Sequence, residues 1–153
     1  MFKGYYKQEQ LTSETIQDGW LHTGDVGRFD DEGFLHIVDR KKDMIVTGGF
    51  NVFPREIEDV ISSHPAVAQV AVIGVPEEKW GEAVKAVVIL RPGHEGSDEL
   101  AAELKARVKE AKGAVQSPKS VDFVAQIPLS ALGKPDKKAL RKQFWGDQAR
   151  GVN

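Results

Sequence analysis

The sequence predicts an α+β domain from about residue 44 onward: a mixed or antiparallel sheet of about three strands, a β-hairpin beside it, and flanking helices. Three observations predict it. Two β-branched runs of strand length, "AQVAVIGV" and "EAVKAVVIL", lie close together across "PEEKWG", and "KSVDFVAQI" supplies a third. Helical patterns stand on both sides of the first two, "PREIEDVISSH" before and "SDELAAELKARVKEA" after. Residues 1–40 are instead β-rich and read as a separate piece, joined through the charged run Asp39-Arg40-Lys41-Lys42-Asp43.

In chain order, "SETIQD" allows a short helix at most. "VGRF" and "FLHIV" form a hairpin across Asp31-Glu32-Gly33, where glycine accepts the positive φ the turn asks for. "MIVTGG" and "NVF" form a tighter hairpin around Gly48 and Gly49. Pro54 then suits the first position of a helix, where its missing N–H costs nothing. Ile57, Val60 and Ile61 give that helix one buried stripe, and His64-Pro65 ends it. In the clearest helix, Ser97 is the cap, Asp98 and Glu99 complement the dipole, and Leu100, Leu104 and Val108 share a face. "PLSALGKPD" reads as an irregular loop and "KKALRKQFW" as a short basic helix.

Bulk properties exclude several classes. A formal charge of -2 gives no general pull toward nucleic acid. The absence of cysteine excludes disulfides, thiolate metal sites and a cysteine nucleophile. No apolar run reaches the roughly 18 residues of a transmembrane helix, and the N-terminus lacks a signal-peptide pattern. A cytoplasmic protein is the expectation. His22, His36, His64 and His94 are scattered without the i, i+4 pairing of a helical zinc site, and His64 and His94 read as surface residues. There is no Gly-x-Ser-x-Gly elbow, Walker loop or Gly-x-Gly-x-x-Gly.

Two polar positions remain. Asp25, after "LHTG", is either an ordinary turn aspartate or a carboxylate placed to accept from paired hydroxyls. Lys134, between Gly133 and Pro135, is either a solvated loop lysine or an ammonium held on a compact backbone.

The order of segments adds what these residues alone do not. "GYYKQ", "DGWLHTGDVGRFDDEGFLHIVDRKKDMIVTGGFNVFPREIEDVI", "VIGVPEEKWGEAVKAVVIL" and "IPLSALGKPDKKALR" closely resemble the C-terminal part of the adenylate-forming enzymes: acyl-CoA synthetases, luciferases and peptide-synthetase adenylation domains. The resemblance runs from Gly4 to about Trp145, and "GGFNVFPREIE" with "VPEEKWGEAV" is most like fatty or aryl acid–CoA ligases. It implies adenylation of a small-molecule carboxylic acid by ATP, then thioester formation with coenzyme A and release of AMP. Residues 1–40 become the β-rich end of a large domain otherwise missing from this chain, 41–43 a hinge, and 44–153 the small C-terminal domain.

By the same resemblance, Asp25 binds the ribose hydroxyls, Arg40 contacts the nucleotide and Lys42 is the hinge residue. Gly49 lines the tunnel for the pantetheine arm. Lys134 is the catalytic lysine that contacts the reacting carboxylate and phosphate, and the matching lysine of relatives is a site of inactivating acetylation. The magnesium ligand lies in the missing large domain, so the chain is expected to hold no metal and to be inactive alone. Val46 stands where some aryl-CoA ligases carry lysine, and "KGAVQSPK" departs from the commoner Tyr-Lys-x-Pro-Lys. The resemblance also admits an adenylation domain that loads a carrier protein, or a stand-alone non-catalytic binding or regulatory module.

Overall fold

A computed structural model describes residues 2–146; the end of the second domain predicted above, residues 147–153, lies outside the described residues. The chain divides into two compact units, Met1–Lys41 and Lys42–Asn153.

In the first unit a helix, α1 (Glu9–Thr15), leads into a two-residue hairpin of β1 (Ile16–Gln17) and β2 (Trp20–Leu21). Its Asp18-Gly19 turn takes positive φ at both positions, +51° and +81°, as two-residue hairpins favour. β3 (Asp25–Phe29) and β4 (Leu35–Arg40) form the longer antiparallel hairpin. Asp30 closes its turn by accepting from the backbone N–H of Glu32 and Phe34 and from the ring of His36 at 2.6 Å. The His36 hydrogen bond, with help from the Phe34 amide, holds the Asp30 carboxyl below its ordinary range.

The second unit opens with a 3₁₀ turn (Lys41–Asp43, shared with the boundary), the hairpin β5 (Ile45–Thr47) and β6 (Phe50–Val52), and α2 (Pro54–Ser62). β7 (Val67–Glu77), β8 (Gly81–Leu90), α3 (Asp98–Lys112), β9 (Ser120–Phe123) and α4 (Lys137–Trp145) follow. Long β8 is the centre of the sheet. β7 pairs antiparallel along one side of it; β9 and the β5–β6 hairpin share the other. β9 runs parallel to β8 because α3 lies between them as the crossover a parallel pair requires. The predicted three strands and hairpin are therefore one five-stranded sheet, joined at a single register pair, Thr47 opposite Gly81.

Both faces of the sheet are covered. Val70, Val72, Val84, Ala86 and Val88 point to α2 and α3, where they meet Ile57, Ile61, Leu104 and Val108. Ala71, Ile73 and Val87 point the other way, to Ile127 and Leu140 of the α4 side. This explains why β7 and β8 read as continuous apolar runs rather than alternating ones. Fully burying each of the valine, isoleucine and leucine side chains here is worth about 1.5–3 kcal/mol.

β7 is an edge, and its outward backbone groups are taken by side chains. The Glu58 carboxylate accepts from the Val72 N–H at 2.7 Å, and Trp145 Nε1 donates to the Gly74 carbonyl at 2.9 Å. Such caps keep the edge from pairing with another chain. An edge also tolerates Pro76 inside the strand, which is why β7 extends past the predicted "AQVAVIGV".

Two expectations need correction. His64 is not a surface residue but is buried at the end of α2. Its Nδ1 accepts the Ala66 N–H at 3.2 Å, which leaves the proton on Nε2 to donate to Glu103 at 3.0 Å. His94 is exposed, as expected. The segment 128–136 is also more ordered than an irregular loop, with Leu129 bridged to Pro135.

Asp43 and Arg141 tie the start of the unit to α4. They form an ion pair at 2.9 Å with side chains only 16% and 11% exposed. Removing one partner of a buried pair leaves the other charge uncompensated. Arg141→Ala is expected to cost about 3 kcal/mol, measured as a lower urea midpoint at constant slope; an unchanged midpoint would show the pair to be incidental.

Candidate functional site

The hairpin of the first unit brings Asp25 and Arg40 together. They are register partners at the open end of β3–β4, with Arg40 Nε 3.0 Å from Asp25 Oδ1. The Lys41 N–H donates to the Gly24 carbonyl at 2.8 Å, and Thr23 Oγ1 accepts from the Asp25 N–H at 3.2 Å. With Oδ1 held by the guanidinium, Oδ2 retains lone pairs to accept from a vicinal diol. Arg40 is more than half exposed, so its remaining donors can meet an anion. This pairing depends on a β-bulge: Gly27 faces Ile37, but Val26 faces Asp39, so Val38 is the extra residue. A regular register would set Asp25 against Asp39.

Lys42 lies exposed in the 3₁₀ turn where the two units divide. Gly49 is the second residue of the β5–β6 turn, which takes φ of +56° at Gly48 and +83° at Gly49. A Cβ at Gly49 would meet nothing within 4 Å, whereas one at Gly48 would lie 2.7 Å from the Trp80 ring. The turn is held from the same side, as the Gly48 N–H donates to the Trp80 carbonyl at 2.9 Å. Beside it opens a mainly apolar cleft of about 230 Å³, lined by Thr47, Gly48, Phe50, Trp80, Ala114, Val115 and Lys119. Trp80 and Lys119 escape sequence reasoning as site residues; the signal available was only the aromatic in the "PEEKWG" turn.

Lys134 sits on a tight turn. The Gly133 N–H bonds the Ser130 carbonyl at 2.9 Å, and the Lys134 carbonyl accepts from the Ser130 N–H at 2.7 Å. Ser130 Oγ also receives the Lys134 N–H at 3.3 Å, and Gly133 supplies the positive φ, +75°. Asp136 then caps α4 through the Ala139 N–H at 3.0 Å. The backbone is pinned while the side chain is exposed, and its ammonium makes no ion pair among the described residues. Ser130 is a supporting residue the sequence reading missed.

The described residues contain no group of three or more His, Asp or Glu placed to hold a metal ion. None of their helices is long and apolar enough to cross a membrane.

Comparison with known proteins gives the relatives of this chain. The medium/long-chain-fatty-acid–CoA ligase FadD8 of Mycobacterium tuberculosis is 59% identical over 154 residues, covering 97% of this chain and 27% of that protein. The fatty acid–[acyl-carrier-protein] ligase ScoC of Streptomyces coeruleorubidus is 41% identical, over 97% of this chain and 28% of that protein. The o-succinylbenzoate CoA synthetase MenE of Bacillus subtilis, solved with its acyl-adenylate intermediate, superposes with a TM-score of 0.81 at 34% identity, covering 99% of this chain and 29% of that one. The chain thus spans little more than a quarter of the length of these relatives. A family profile described as the AMP-binding enzyme C-terminal domain matches residues 56–134, ending on Lys134. With over half of its residues in that match, the chain belongs to the AMP-binding enzyme C-terminal domain family.

Proposed function

We propose that this chain is the C-terminal portion of an AMP-forming fatty acid–CoA ligase, acting with a large domain that binds ATP, magnesium and the acid. The observation that carries the reading is the placement of Lys134: an exposed ammonium on a pinned turn, at the end of the family match. In the first half-reaction a carboxylate oxygen attacks the α-phosphorus of ATP, and the bond to pyrophosphate breaks. Negative charges converge there, and a positioned point charge stabilises the transition state. In the second, the thiol sulfur of CoA attacks the acyl carbonyl, and AMP leaves with the bonding pair.

Asp25 accepts from the ribose hydroxyls and Arg40 meets the nucleotide; their mutual ion pair supports both roles. Residues 41–43, with Lys42 exposed, serve as the hinge, a reading supported by the division of the chain at that point. Gly49 lets the pantetheine arm pass close to backbone, and the adjoining cleft at Trp80 and Lys119 receives the acceptor. Asp25→Asn is expected to raise the KM for ATP by about tenfold or more, since a hydrogen bond to a charged group is worth about 1.5–3 kcal/mol. An unchanged KM would remove Asp25 from the nucleotide site.

The test is a pyrophosphate-release screen over short, medium, long and aromatic acids with the protein that carries this chain. The similarity to ScoC favours a second reading, in which the acceptor is a phosphopantetheinylated carrier protein. Offering CoA and a carrier protein together separates the two by which thiol is acylated. Acylation of neither, with no pyrophosphate released for any acid, would leave a non-catalytic module.

A further inference from the structure

Glu82 is a carboxylate in an apolar sheet, only 5% exposed, yet the chemistry described above does not use it. Its Oε2 accepts the backbone N–H of Val46 at 2.8 Å. That amide belongs to β5, which joins the rest of the sheet through one register pair, Thr47 opposite Gly81. The backbone ladder between β5 and β8 stops there, and the side chain of the next β8 residue continues it. Room for the carboxylate is kept across the sheet: a Cβ on Gly74 of β7 would lie 2.8 Å from Glu82 Oε2. Burying a carboxylate is costly unless it is hydrogen-bonded, so its use here points to a placement that a short ladder does not secure.

We propose that Glu82 is a positioning residue for the thioester-forming step: through Val46 it sets the Gly48–Gly49 turn against Trp80 and the adjoining cleft. The structural half of this stands on the contacts alone; the kinetic half rests on the ligase reading given above. Because Lys134 lies on a separate turn after β9, adenylation does not depend on the anchor.

Two measurements test it. In the isotopically labelled chain, Glu82→Ala should speed hydrogen exchange of the Val46 amide by about tenfold, the value of a lost charge-assisted hydrogen bond. Glu82→Gln, which keeps an acceptor oxygen, should restore most of the protection. In the ligase that carries the chain, Glu82→Ala should slow thioester formation from preformed acyl-adenylate by up to about a hundredfold, the scale of a 1 Å misplacement. Acyl-adenylate formation should stay near wild type. Gly74→Ala gives an independent perturbation that leaves the carboxylate in the protein and crowds it from β7; it should reproduce the selective loss if Glu82→Ala does not fold. Unchanged Val46 exchange, or equal loss of both half-reactions, would overturn the proposal. If the wild type makes neither adenylate nor thioester, the ligase reading fails, and Val46 exchange by itself decides whether Glu82 is the anchor.

Discussion

Replacing Lys134 with alanine is expected to slow acyl-adenylate formation by on the order of a hundred- to a thousandfold, the usual scale for removing one preorganised electrostatic contact. The ground for so large an effect is the turn beneath it. Ser130 holds Lys134 from both its carbonyl and its N–H, Gly133 supplies the left-handed residue, and Asp136 anchors the far side by capping α4. An ammonium on a fixed stem needs little reorganisation when carboxylate and phosphate approach. The folded state should be unaffected, because the side chain is exposed and makes no ion pair among the described residues. Thioester formation from preformed acyl-adenylate should change far less. Measuring the two half-reactions separately checks the assignment: equal loss in both would sink it. Lys134→Arg is expected to recover only part of the rate, since a planar fork does not place its charge where an ammonium does. Acetylation of Lys134 removes the same charge and should reproduce the alanine phenotype.

The complementary result is expected at Gly49. Gly49→Leu should reduce thioester formation by on the order of a hundredfold while leaving adenylation largely intact. Gly49 is a cleaner probe than Gly48, whose Cβ would strike Trp80. At Gly49 a Cβ would meet nothing within 4 Å among the described residues. The cost to folding is the left-handed backbone at φ +83°, about 1–2 kcal/mol for a residue with a Cβ. A thermal melt separates that cost from the kinetic one. If Gly49→Leu leaves the second half-reaction unchanged, the hairpin does not line the acceptor path. Together with Lys134→Ala it forms a pair in which each variant should spare what the other removes.

Much of the fold was legible in the sequence because its signals are local. Pro54 and Ser97 mark the helix starts they occupy, and Ser97 Oγ accepts the Leu100 N–H at 3.2 Å. The Gly48-Gly49 pair forms its turn, and Ile57, Ile61, Leu104 and Val108 face the core as their spacing predicts. Asp25, Arg40, Lys42, Gly49 and Lys134 are candidate site residues because ordered motifs surround each of them. Their supports carry no such signal. Ser130 and Glu82 act through backbone groups, and one polar residue in a loop or strand looks like any other until its partner is placed.

Local signals in the sequence settle the order of helices and strands in the second unit, the apolar faces of α2 and α3, and the positions that must turn. Turn chemistry and the 3.6-residue period are properties of a few consecutive residues. Tertiary structure alone decided the pairings between distant ones. A bulge at Val38 turns Asp25 from Asp39 to Arg40, where carboxylate meets guanidinium rather than another carboxylate. The packing of α2 and α3 on one sheet face buries His64 against Glu103, 39 positions away. Glu82 reaches Val46 across 36 positions to continue a ladder that the backbone leaves off. Periodicity says which way a side chain points, but register and strand divergence, set by the packing of the whole sheet, say what it meets.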